Sequence, residues 1–137
     1  MAMGFDDVQA ALGERVTRLH IRNCGTSTVT LPVMPELEQS SAEGNPVAVI
    51  WRPYDPKAAP KRLAPQQYSG WELSWRTNGN CEQRGARRLV ATVGTATGVL
   101  EGCLDLGDYH ALTDETSTGP HGSDATPAPE GTVRLLD

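Results

Sequence analysis

The three cysteines are the residues of this chain most able to form covalent bonds, and their number is odd. Cys24, Cys81 and Cys103 allow at most one intramolecular disulfide and leave one thiol over. Cys81 precedes a predicted strand and Cys103 follows it, so a hairpin can bring them to the Cα separation of about 5.5 Å that a disulfide requires. Such a bridge would stabilise the fold by roughly 3 kcal/mol in the chain-entropy model. Two alternatives stay open: a pairing that involves Cys24, and three reduced thiols in a cytoplasmic protein.

The histidines and carboxylates form no recognisable metal or catalytic motif. His20, His110 and His121 stand apart without Cys-x-x-Cys or His-x-x-x-His spacing, so we predict neither a metal nor another cofactor. Cys24 follows His20 at a distance of about 13 Å along an extended strand, which is too far for a nucleophile and its base. No Gly-x-Ser-x-Gly elbow is present, and the acidic residues between 105 and 115 match no calcium loop. We therefore predict that the protein is not an enzyme.

Aromatic residues give the best candidate for a binding site. Trp71 and Trp75 alternate with polar residues, as on the inner face of a strand, which favours a place in the core. Trp51 instead precedes Arg52 and a proline-rich loop, so we expect its ring to be the more exposed. We predict Trp51, Arg52 and Tyr54 as the binding residues.

Short strands must position these residues. Residues 68–76 alternate apolar and polar side chains with period two, which is the clearest strand signal in the chain. Further strands are predicted at 17–23, 28–31, 46–52 and 87–93, with weaker ones at 36–38, 61–64, 99–100 and 104–106. Seven or eight short strands joined by Gly/Pro turns predict an all-β, antiparallel β-sandwich over residues 14–112, with a small closed barrel as the alternative.

The two ends of the chain differ from this body. Residues 1–13 place apolar side chains at helical spacing, at Phe5, Val8, Ala11 and Leu12, and predict a short N-terminal helix that docks on the body. From Thr113 onward Thr, Ser, Gly, Pro and Asp dominate without periodicity. Residues 113–137 are therefore predicted to form a flexible acidic tail, with residues 133–136 able to fold back.

Length and charge restrict the function further. A chain of 137 residues fits one domain, and its net charge of −5 argues against nucleic-acid binding, which depends on clustered Lys and Arg. No apolar run approaches the ~20 residues that span a bilayer. Residues 1–13 lack the basic start and apolar middle of a secretory signal, so we expect either a cytoplasmic protein or a mature domain whose signal has been removed.

Several short motifs occur in the order and spacing of one family. They are Ala-Leu-Gly-Glu-Arg at 11–15, Leu-His-Ile-Arg-Asn-Cys-Gly at 19–25, Pro-Val-Ala-Val at 46–49, Leu-Ala-Pro at 63–65, Trp-Glu-Leu-Ser-Trp-Arg at 71–76 and Leu-Asp-Leu-Gly at 104–107. Together they resemble the actinobacterial domain-of-unknown-function family numbered 4232, over about residues 10–112. The family commonly has Gly-Tyr-Pro where this chain reads Val-Met-Pro at 33–35.

This resemblance implies an immunoglobulin-like β-sandwich that is usually exported and often belongs to the cell envelope or to lipoproteins. Some members of the family carry cysteines at places comparable with Cys81 and Cys103. The resemblance therefore favours the extracytoplasmic location of a trimmed mature domain, and it implies no activity.

Two functions follow from these observations. The first is a non-catalytic interaction module that presents its loops to a protein or glycan of the cell envelope. The alternative is a secreted inhibitor or regulatory subunit whose proline-rich loop, residues 53–60, docks in the cleft of an enzyme.

Overall fold

The described part of the chain consists of strands and turns. The computed structural model describes residues 1–11, 13–76, 86–106 and 130–137, and these ranges contain no α-helix. The strands are β1 Ala2–Phe5, β2 Gln9–Ala11, β3 Glu14–Arg22, β4 Val29–Leu31, β5 Glu36–Ser40, β6 Ile50–Pro53, β7 Lys61–Leu63, β8 Tyr68–Arg76, β9 Ala86–Val93, β10 Ala96–Leu106 and β11 Glu130–Leu135. The all-β prediction is confirmed. The described residues between 14 and 106 contain eight strands, β3 to β10, in agreement with the predicted seven or eight, and three further strands come from the predicted helix and tail.

The strands form three sheets around one core. The largest has the order β1-β3-β8-β11-β6, with β2 also paired to β3; the second has the order β10-β9-β5, and β4 pairs with β7. The pairs are antiparallel except for β11 and β6, which run parallel. The prediction of a wholly antiparallel fold was wrong at that pair, because its strands are remote in sequence and no local turn sets their direction.

Strand β8 lies in the middle of the largest sheet, as its alternating pattern predicts. Trp71 stands opposite Leu19 of β3 and Leu135 of β11. Trp71, Leu73 and Trp75 are buried, whereas the alternating polar residues face outward. The predicted core placement of Trp71 and Trp75 is therefore confirmed.

One hydrophobic cluster joins the three sheets. It contains Leu19, Ile21, Trp71, Leu73, Trp75 and Val133 of the largest sheet, Ala86, Leu89, Ala91, Val93, Leu104 and Leu106 of the second, and Leu31 and Leu63 of the small one. The indole N–H of Trp71 donates to the carbonyl of Pro32 at 3.1 Å, and that of Trp75 to the carbonyl of Leu104 at 2.8 Å. Both rings are thus buried without an unsatisfied donor.

The predicted N-terminal helix at residues 1–13 is wrong, because this segment forms β1 and β2. The two strands pair with opposite ends of β3, and a bend at residues 6–8 joins them. The bend is held by Asp6, whose backbone N–H donates to the carbonyl of Arg18 and whose carbonyl accepts the hydroxyl of Thr17, each at 2.9 Å. A helix of two turns has no such partners and is unstable alone, so pairing along β3 prevails over helical spacing.

The end of the predicted tail is also a strand. Residues 107–129 lie outside the described residues, and the predicted flexibility of the tail stays a prediction there. Strand β11, which follows them, lies between β8 and β6, and Val133 is buried in the core. The suggestion that residues 133–136 fold back anticipated part of this strand, but not its interior position.

Asn23 organises the turn that follows β3. Its side chain is buried, with Nδ2 donating to the carbonyls of Ser27 at 2.8 Å and Leu63 at 3.0 Å, and Oδ1 accepting the N–H of Gly25 at 3.0 Å. The side chain of Asn23 therefore ties the turn at 23–27 to the strand β7, and its polar atoms are satisfied in the interior.

Candidate functional site

The reactive side chains do not converge within the described part of the chain. His20 lies on the outer face of β3, and its Nε2 is 2.6 Å from Oδ2 of Asp6. Cys24 is exposed in the turn that follows β3. Among the described residues, no three His, Cys, Asp or Glu side chains lie close enough together to hold a metal ion. His110 and His121 lie outside the described residues. The hydrogen bond between His20 and Asp6 thus fastens the bend between β1 and β2 to β3.

The cysteines are only partly placed. Cys24 is a free thiol. Cys103 lies on β10. Its predicted partner, Cys81, lies outside the described residues, so the pairing of these two stays a prediction.

Trp51 is more exposed than Trp71 and Trp75, as expected, but its ring is not free. It lies on β6 and is half-buried, with its ring edge-to-face against Trp75 at a centroid distance of 6.2 Å. Its indole N–H donates to Oε1 of Gln39 at 2.8 Å, which joins β6 to β5 of the second sheet. Gly131 of β11 leaves the space that the ring fills. Trp51 therefore packs inward and stabilises the fold, while Arg52, the next residue of the strand, points to the opposite face.

Arg52 belongs to a row of ion pairs on the outer face of the largest sheet. Its Nη2 lies 3.0 Å from Oε1 of Glu130 across the parallel pair of strands. Nearer the middle of the sheet, Glu72 accepts hydrogen bonds from Arg18 at 3.4 Å and from Arg134 at 3.2 Å. Exposed pairs of this kind contribute about 0–1 kcal/mol each. Their main effect is to fix the positions of the guanidinium groups on this face of the sheet.

A groove of about 600 Å³ lies between the proline-rich loop and the end of β11. The loop contributes residues 54, 55 and 58–60, and the strand end contributes residues 133–137. Tyr54 is 67% exposed, although its backbone N–H donates to the carbonyl of Val133 at 2.8 Å. Asp55 shapes the loop by accepting the N–H of Lys57 through its side chain and that of Ala58 through its carbonyl. The backbone of the groove is thus held by hydrogen bonds, whereas the aromatic ring of Tyr54 is exposed to solvent.

Lys61 lies at the end of the groove where β7 begins. Its Nζ donates to Oγ of Ser69 and to the carbonyl of Leu136, each at 3.1 Å. Neither acceptor carries a formal charge. Asp55 and Asp137 also line the groove, but no ion pair joins either of them to Lys61 among the described residues. The ammonium of Lys61 is therefore half-buried and has no described counter-ion.

A second concavity, of about 670 Å³, lies on the outer face near β1, β2 and β3. Three of its charged residues, Asp6, Arg18 and Glu72, already form ion pairs. A ligand there would have to displace those pairs. The groove beside Tyr54 offers an unpaired cation and an exposed ring, and is the better candidate.

The sequence located part of this groove. Tyr54 was predicted from its place in the proline-rich loop, and Arg52 lies on the adjoining outer face. Lys61 and Leu135 were missed: Lys61 directly follows the loop, but the groove that both residues line forms only because β11 pairs with β6. The alternation of Val133, Arg134 and Leu135 was the available signal, and it lies at the end of a long segment rich in Gly, Pro, Ser and Thr.

No helix among the described residues is long and apolar enough to cross a membrane. Comparisons of the chain with models of protein families, with curated proteins and with solved structures found no match in any of the three.

Proposed function

We propose that this protein is a non-catalytic interaction module that binds a protein partner of the cell envelope through the groove between the loop at 53–60 and β11. The observation that carries the proposal is the side chain of Tyr54. It is 67% exposed at the wall of a groove whose backbone is already fixed. A rigid aromatic ring of this kind loses little conformational entropy on binding, and Tyr is enriched among residues that dominate interface energies.

We further propose that the fold is an immunoglobulin-like β-sandwich of the family numbered 4232. The resemblance in sequence supports this, and so does the role of its motif residues. The buried side chain of Asn23 binds Gly25 in the turn after β3, and Trp71 and Trp75 lie in the core between the sheets. The predicted bridge between Cys81 and Cys103 would fit an extracytoplasmic location, because disulfides persist mainly in oxidising compartments.

The test is capture of partners from a detergent-solubilised actinobacterial envelope fraction. Immobilised wild-type protein is compared with Tyr54→Ala and with Tyr68→Ala, an aromatic control that is 69% exposed elsewhere on the largest sheet. We expect one protein to be retained by the wild type and by the control, and to be lost with Tyr54→Ala. Retention that is equal for all three, or none at all, would contradict the proposal. A glycan array probed with the same three proteins shows whether the partner is a glycan instead.

A second function is favoured by the fixed shape of the loop. Asp55 holds the backbone of Lys57 and Ala58 in a turn, with the side chain of Lys57 exposed. A loop that is already ordered binds a cleft at a lower entropic cost, as in an inhibitor or a regulatory subunit. Inhibition of a protease in a panel, abolished by Lys57→Ala but not by Arg62→Ala, would support this function. No inhibition at micromolar protein would exclude protease inhibition.

A further inference from the structure

The end of β11 presents an unpaired backbone edge to the groove. The N–H of Leu136 donates to the carbonyl of Gly70 on β8 at 2.9 Å. In an antiparallel ladder the backbone groups of successive residues point to opposite sides. The N–H and C=O of Leu135 therefore point away from β8, to the side where β6 would continue.

No backbone hydrogen bond from the described residues fills that position. The last backbone bond on this side runs from the N–H of Tyr54 to the carbonyl of Val133. In the same parallel register the carbonyl of Leu135 would next accept from residue 56, which is proline and has no N–H. No backbone hydrogen bond joins Leu135 to the described loop. Pro56 thus leaves the carbonyl of Leu135 without a donor, and the N–H of Leu135 makes no bond to the described loop either, so one donor and one acceptor of β11 face the groove.

Lys61 adds a charge to the same groove, at the carbonyl of Leu136, which points to the side of β8. Two of the three donors of its ammonium are used, by Ser69 Oγ and by the carbonyl of Leu136. Because no carboxylate among the described residues neutralises it, its remaining N–H suits an anionic oxygen. A hydrogen bond of this kind, between charged partners, is stronger than one between neutral groups.

We propose that the groove binds an extended peptide segment that carries a carboxylate, and that the segment continues the sheet where β6 stops. The peptide backbone pairs with the N–H and C=O of Leu135, and its carboxylate lies at Lys61, while Tyr54 covers one side. This recognition mode combines strand addition with capture of an acidic group. It rests on the proposed function, for which it names the chemistry of the partner.

The experiment begins with the free protein and a random octapeptide library. In the free protein, we expect the amide of Leu135 to exchange with solvent at least about tenfold faster than that of Leu136, because only the latter is paired. Selection on the immobilised full chain should enrich peptides with an acidic residue or free C-terminal carboxylate at a fixed position. The best peptide should shift the ¹⁵N–¹H signals of Leu135 and Tyr54.

Chemical changes in the peptide isolate each contact. Methylation of the one backbone nitrogen that pairs with Leu135 should weaken binding about tenfold or more, whereas methylation of the next nitrogen should have little effect. Replacing the carboxylate by an amide should weaken binding by a similar factor. Comparing peptides with free and amidated C termini shows whether the protein binds the C-terminal carboxylate or an acidic side chain. Lys61→Met should remove that difference, and Lys61→Arg should retain it.

These results also separate the two proposals. No enriched peptide, binding indifferent to the carboxylate, or an unshifted Leu135 amide would overturn the inference about the peptide. If an envelope protein still depends on Tyr54 but no peptide competes with it, the interaction module stands and the mode of recognition is wrong. Tyr54→Ala and the amidated peptide keep the test decisive even where Lys61→Met fails to fold.

Discussion

The side chain of Asn23 should be the most sensitive polar group of the fold. Asn23→Ala removes three hydrogen bonds, two donated by Nδ2 and one accepted by Oδ1. Each is worth about 1 kcal/mol net, and the interior carbonyl of Leu63 loses this partner as well, so we expect a loss of roughly 2–4 kcal/mol. Total stabilities of single domains are about 5–15 kcal/mol, so the change should be easily measured.

Urea unfolding followed by tryptophan fluorescence and by far-UV circular dichroism measures this loss. We expect a lower midpoint with an unchanged slope, because the surface exposed on unfolding is the same. Asn45→Ala is the matched control: the side chain of Asn45 is exposed in a turn, and its loss should cost no more than about 0.5 kcal/mol. Asn23→Asp should be at least as destabilising as Asn23→Ala, since it sets a carboxylate oxygen against two carbonyls. Equal stabilities for Asn23→Ala and the control would refute the reasoning.

Three further predictions concern packing and covalent structure. Gly70→Ala should cost about 1–3 kcal/mol in urea unfolding, because its methyl group would overlap a backbone carbonyl of β3, whereas Gly4→Ala meets open space and should cost under about 0.5 kcal/mol. Gly131→Ala should displace the ring of Trp51, lowering stability by about 1–3 kcal/mol and changing the fluorescence spectrum; an unchanged spectrum would contradict this packing. Alkylation without reductant should modify one thiol, that of Cys24, and alkylation after reduction should modify all three cysteines; three modified thiols without reductant would exclude the predicted bridge.

The local sequence pattern predicted those strands that have apolar residues on one face and polar residues on the other. Strand β8 has Trp and Leu on one face and polar residues on the other, and that contrast decides its period at once. The N-terminal segment was wrongly predicted as a helix, because the spacing of Phe5, Val8 and Ala11 fits a helix as well as a bent pair of strands. The choice depends on β3, which is available to pair with both halves of the segment, and a local pattern does not contain that information.

The candidate site was predictable only where one short stretch of sequence forms it. Proline at 53, 56 and 60 indicates a surface loop, and Tyr54 follows from that loop directly. Trp51 was expected to be the more exposed Trp, and it is, but its packing against the second sheet depends on contacts between distant strands. Leu135 enters the groove through the pairing of β11 with β6, which are far apart in the chain, and Lys61, although next to the loop, lines a groove only because of that pairing.

The interior position of β11 has a consequence for how this protein folds. Within the described residues β6 pairs with β11 alone, in register from Ile50 with Glu130 to Pro53 with Val133, so this contact closes a span of 80 residues. Closing so long a span is entropically costly and slow compared with forming a hairpin. We expect β3 and β8 to associate early, and β11 to enter late and bring β6 with it. Until then we expect the indole of Trp51 to stay in water. The change in its fluorescence on burial should therefore report the last step of folding.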